Sequence, residues 1–104
     1  MNTSALDQMI RSAISRKRLL RVCYAGRVRE AEPHDYGVQK GVERLLVYQL
    51  RGTASAPGRS VTGWRLLDLP KIEACEVLNE SFAGSRGHLH RKRLIWDVLY
   101  MRVS

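Results

Sequence analysis

Gly41–Leu50, GVERLLVYQL, is the longest strand-like run in the chain, and its reading decides the fold. Leu46, Tyr48 and Leu50 alternate with Leu45, Val47 and Gln49, so bulk falls on both faces and the strand belongs inside a sheet, away from its edge. Lys40–Gly41 just before it has the composition of a hairpin turn, which pairs the run with Asp35–Gln39. A central strand needs neighbours on both sides, and the chain offers candidates before and after it. The expectation is a small curled sheet.

Upstream, LLRVCY (Leu19–Tyr24) alternates Leu20, Val22 and Tyr24 with Leu19, Arg21 and Cys23. Ala25–Gly26 reads as a turn and Arg27–Glu32 as a more polar returning strand, together a hairpin. Pro33 has no N–H for a ladder, so it should end that strand or sit at a bend continued by His34–Asp35. Before the hairpin, Leu6, Met9, Ile10, Ala13 and Ile14 follow helical spacing and predict an amphipathic helix over about 4–17. Ser4 is placed as its N-cap, Asp7 near its positive end, and Arg16, Lys17 and Arg18 near its negative end.

Downstream, RGTASAPGRS (Arg51–Ser60) has loop composition. Trp64–Leu69 and Ile72–Leu78 are strand-like, with a bend at Pro70. Six strands after one helix predict a barrel over about 19–78, because closure removes exposed edges. From Phe82 the periodicity is lost. In the C-terminal extension, about 79–104, Ile95, Val98, Leu99 and Arg102 predict a short helix, with a strand through LYMRV as the alternative.

At 104 residues the chain has room for one domain. No apolar run approaches the roughly 20 residues needed to span a bilayer, and the start MNTSALDQMI lacks signal-peptide features, so the expected location is the cytoplasm, with no membrane partner. Cys23 and Cys75 are too few for a disulfide scaffold and read as small buried thiols. The net charge of +8 implies attraction to polyanions: nucleic acid, nucleotides or an acidic protein. Arg16, Lys17, Arg18 and Arg21 form one basic cluster and Arg91–Arg93 a second, although solvated charge that keeps a small protein soluble is the competing explanation.

The ordered set of helix, RVCY, turn, EAEPH, YGVQKG, LLVYQLRG and GWRLLDLPKI resembles the WYL domain of bacterial regulators, over about Met9 to Leu78. Glu32–Pro33 resembles the family's Glu-Pro after the second strand, and Arg65, Leu67, Leu69, Lys71 and Ile72 resemble its R-x-F-x-L-x-R-I run. Where the family's Trp-Tyr-Leu falls, this chain has Arg44, Leu45 and Leu46, and it has no room for the winged helix-turn-helix most such regulators carry. The resemblance implies a stand-alone, mainly β domain with flanking helices: a small SH3-like or Sm-like barrel. It implies binding of a negatively charged ligand, single-stranded DNA or RNA or a nucleotide, relayed to transcription.

The resemblance also places a ligand-facing arginine at Arg65, whose guanidinium can grip a phosphate in two places. Tyr24 and Tyr48 could stack bases beside Arg65 and Arg44, or serve as half-buried core residues with a wet hydroxyl. Arg27, Arg29 and Lys71 are candidates for further phosphate contacts, and Trp64 reads as core. Glu32 is expected to pair with Arg65 or Arg29. His88-x-His90 supplies only two ligands, short of a zinc site, so no metal is expected. Cys23 and His34 form a nucleophile and base in name only, since nothing orients the imidazole. With no paired carboxylates, phosphate loop or triad spacing, neither an enzyme nor a cofactor is expected. The alternative function is a protein-interaction or dimerisation module that docks an acidic partner.

Overall fold

Two tight turns set the sheet. Ala25 and Gly26 have φ of 53° and 72°, and Lys40 and Gly41 have φ of 52° and 76°. Paired left-handed residues match the right-handed twist of the strands they join, so each turn closes an antiparallel hairpin as expected. The computed structural model describes residues 3–52, 61–87 and 94–104. The turns connect β1 (Arg18–Tyr24), β2 (Arg27–Gln39) and β3 (Val42–Gly52).

Pro33 does not end its strand. β2 runs through it as one element, with Pro33 opposite Val47 and a register shift between Pro33 and Asp35. That irregularity absorbs the missing N–H and bends the strand, so the two strands expected on either side of Pro33 are a single long one. β4 (Gly63–Asp68) pairs with β3, a 3-10 turn over Leu69–Lys71 carries Pro70, and β5 (Ile72–Ser81) returns along β1. β3 extends to Gly52, so Arg51 and Gly52 belong to the strand and not the expected loop, whose remainder lies outside the described residues.

The strand order is β4-β3-β2-β1-β5. No ladder joins β4 to β5, so the expected closed barrel is an open, curled antiparallel sheet. The Asp68 backbone N–H at the end of β4 donates instead to the Tyr24 hydroxyl of β1, at 3.1 Å. The C-terminal helix is also overturned, because Val98–Arg102 forms β6 antiparallel to β2. β1 pairs β2 only over Arg27–Ala31, which leaves the edge at Asp35–Val38 free for β6. Gly37 permits the approach: a Cβ there would lie 2.1 Å from the Val98 carbonyl oxygen.

Helix α1 (Thr3–Arg16) buries Leu6, Ile10, Ala13 and Ile14 against Leu20, Val22, Ala31, Tyr36, Leu45, Val47 and Leu67. Met9 is only half-buried, and because the helix starts at Thr3, Ser4 lies in its first turn and not at its cap. The helix is pinned by Asp7, which accepts from the Tyr36 hydroxyl at 2.7 Å and from Arg11. Among the described residues no helix is long and apolar enough to cross a membrane.

Candidate anion-binding site

In an antiparallel pair, residues directly opposite share a face. Arg29 lies opposite Val22, Arg27 opposite Tyr24, and Arg65 opposite Val47. Val22 and Val47 are fully buried. The three arginines and Tyr24 therefore continue the core face of the sheet past its apolar end. The Arg29 guanidinium sits over the Tyr24 ring, 5.5 Å from its centroid, and its Nη1 donates to the buried Gln49 side chain at 3.2 Å. Its Nε is buried without a hydrogen-bond partner among the described residues. Arg65 is held by backbone carbonyls, donating to Trp64 O at 2.9 Å and Val61 O at 3.3 Å.

Six other arginines are neutralised by carboxylates, whereas among the described residues Arg16 bonds only Ser12 and Arg18 only Asn79. Arg11 pairs with Asp7, Arg21 with Glu30 and Glu76, Arg44 with Asp68, Arg51 with Glu30 and Glu80, Arg86 with Glu32, and Arg102 with Asp35. No carboxylate among the described residues pairs with Arg27, Arg29 or Arg65. Burial lowers the pKa of the Arg29 guanidinium, and Arg65 and Arg27 lower it further by like-charge repulsion. It remains charged, since an arginine is not deprotonated in a protein. The cluster thus concentrates positive charge that an anion would relieve.

The remaining candidates lie elsewhere. Arg44 and Lys71 both face Asp68, at 2.9 and 3.7 Å, so their charge is partly neutralised. Tyr48 is on the opposite face of the sheet, edge-on to Trp64 at 5.0 Å between ring centroids. The Arg86 guanidinium covers that ring at 3.7 Å and makes two 2.8 Å hydrogen bonds to Glu32. Glu32 therefore pairs with Arg86 and His34, not with Arg65 or Arg29. His34 is buried against Trp64 and Phe82, while the Cys23 thiol lies 3.5 Å from Glu73 and its pKa is raised by burial and by that carboxylate.

Arg86 escaped the sequence reading because it stands in a stretch without periodicity. The one available signal was Glu32 itself, whose carboxylate needs a cation once buried. Among the described residues no cluster of three or more potential metal ligands occurs, and His88, His90 and Arg91–Arg93 lie outside them.

Fold and site together define a small, mainly β domain with one N-terminal helix, an antiparallel sheet and an arginine cluster free of carboxylates among the described residues. No known family model, curated protein or solved structure matches the chain.

Proposed function

We propose that this domain is a non-enzymatic, ligand-sensing regulatory module that binds nucleic acid or a nucleotide through Arg27, Arg29 and Arg65. The observation that carries the reading is the placement of Arg27, Arg29 and Arg65 on one face of the sheet with no carboxylate among the described residues to neutralise them. The resemblance to WYL domains supports it, since that resemblance also points to Arg65 and to an anionic ligand, and the net charge of +8 favours a polyanion. The test is fluorescence anisotropy of labelled single-stranded and duplex oligonucleotides against wild type and Arg65→Ala, at low and physiological salt. Salt-sensitive binding weakened by the substitution supports the reading. Binding indifferent to Arg65, or none at all, ends it.

A second reading, an interaction or dimerisation module, draws on the exposed Ile95, Val98 and Leu99, of which Ile95 is 82% exposed. It predicts that Val98→Asp abolishes partner capture or self-association and leaves oligonucleotide binding unchanged.

A further inference from the structure

We infer that the Arg27, Arg29 and Arg65 cluster takes a phosphomonoester, as the terminal phosphate of a single strand or of a free nucleotide, in preference to the internal phosphodiesters of a passing strand. This rests on the proposed anion-binding function and narrows it.

Access to Arg29 is restricted. The Arg29 Nε is buried, and its guanidinium is held from two sides by Gln49 and the Tyr24 ring. With its Nε covered and its flanks occupied, the guanidinium is approached more readily by a group that projects. A terminal phosphate has one substituent and can enter end-on, whereas an internal phosphodiester must bring a sugar in on each side.

Charge and valence favour the same ligand. A phosphodiester carries one negative charge, but a phosphomonoester carries about −1.5 to −2 near neutral pH and presents three strong acceptor oxygens. Three guanidiniums with no described carboxylate suit the larger charge. Arg65 is pre-positioned: two of its five N–H groups are spent on Trp64 O and Val61 O, so the remainder are oriented before a ligand arrives.

The tyrosines nearest the cluster offer a strand little to stack on. Binding along a strand generally draws on successive open ring faces. Arg29 covers one face of Tyr24, whose hydroxyl is tied to the Asp68 backbone, and Arg86 lies over Tyr48 on the other side of the sheet. Phosphate recognition is what the cluster is built to provide.

The experiment is anisotropy of a short single-stranded oligonucleotide, labelled at one end and carrying either a phosphate or a hydroxyl at the other. Circular single-stranded DNA, a nucleoside monophosphate and the unphosphorylated nucleoside serve as competitors. The expected result is about tenfold tighter binding of the phosphorylated form, on the scale of charge-assisted hydrogen bonds, and weak competition by circular DNA. The preference should vanish in Arg65→Ala and in Arg27→Ala, the latter chosen because Arg27 has no described partner to lose; circular dichroism verifies that each variant is folded. Competition by the nucleoside monophosphate as strong as that of the phosphorylated strand assigns the site to free nucleotides; weaker competition assigns it to strand termini. Both support the inference. Equal binding of phosphorylated, hydroxyl-terminated and circular DNA overturns it but leaves the proposed function standing. Absence of binding by every probe overturns both.

Discussion

The Arg86 guanidinium lies 3.7 Å above the centre of the Tyr48 ring. In that position it also forks onto both oxygens of Glu32, whose side chain is only 7% exposed. One loop residue thus neutralises a buried carboxylate and caps an aromatic ring, fastening the segment after β5 to the sheet.

Arg86→Ala should therefore destabilise the domain by about 2–4 kcal/mol, because it strands a buried charge with only His34 beside it. Arg86→Lys should recover less than half of that loss, since an ammonium cannot fork onto two oxygens and stack at once. Urea unfolding of the three proteins provides the comparison. An unchanged midpoint for Arg86→Ala would mean that Glu32 regains water without cost.

Acid should act through the same carboxylate. Burial alone would raise the Glu32 pKa, but the hydrogen bonds from His34 and Arg86 outweigh it and hold the group below its ordinary value. Asp7 is likewise held low, chiefly by the Tyr36 hydroxyl, and Glu30 by Arg51 and Arg21. For such groups the unfolded chain binds more protons than the native state in the acid range. Their stabilisation is fully present above the unfolded pKa of about 4 and is lost as pH falls through the lower folded values. The urea midpoint should be flat from pH 7 to 5 and decline below, with a shallower decline in Glu32→Gln. A midpoint that rises on acidification would refute the sign.

The hairpins were legible because their chemistry is local: Ala25–Gly26 and Lys40–Gly41 lie between alternating runs, and left-handed turn geometry follows from that placement. The strand through Pro33 was not, because a register shift against β3 is a property of two strands. At the C-terminus the strand alternative through LYMRV holds over the preferred helix: Ile95, Val98, Leu99 and Arg102 carry helical spacing, while the decisive fact is an unpaired edge of β2. In the proposed site, the resemblance pointed to Arg65, and the ladder places it on the same face as Arg27 and Arg29. Arg27 and Arg29 gain their meaning from the register that sets them opposite Tyr24 and Val22, and from the absence of a carboxylate partner among the described residues.

Gly37 offers a direct check on that C-terminal pairing. A Cβ at this position would meet the Val98 carbonyl oxygen at 2.1 Å and the Leu99 Cα at 3.0 Å, both backbone atoms that cannot yield without moving the strand. Gly37→Ala should cost about 2–3 kcal/mol, on the scale of core overpacking. It should also accelerate hydrogen exchange at the backbone amides of β6 while leaving those of β1 and β5 protected. Uniform acceleration throughout the sheet would show that β6 is not separable from the rest.

Cys75 should report global unfolding. Burial, with a smaller contribution from Glu76, pushes its thiol up to about 11, so at pH 8 almost none is thiolate. In a Cys23→Ser background, iodoacetamide at pH 8 should label the half-buried Cys75 slowly in native buffer, and labelling should speed up with urea in step with loss of structure. Rapid labelling in native buffer would place Cys75 outside the cooperative core.

Arg27 tests whether the arginine cluster carries uncompensated charge. It has no carboxylate partner among the described residues and, after burial and Arg65, adds like-charge repulsion that lowers the Arg29 pKa. Arg27→Ala should then raise the unfolding temperature at low ionic strength by roughly 1–3 °C, a small effect on the scale for a domain of this size. The gain should shrink as salt shortens the screening length from about 30 Å at 0.01 M to 3 Å at 1 M. Inorganic phosphate should stabilise the wild type more than chloride at equal ionic strength. Since phosphate also stabilises folded proteins by exclusion from their surface, the informative quantity is its excess over the effect on Arg27→Ala. A variant less stable than wild type at low salt, or an equal response of both proteins to phosphate, would show that the three arginines do not form an uncompensated anion site.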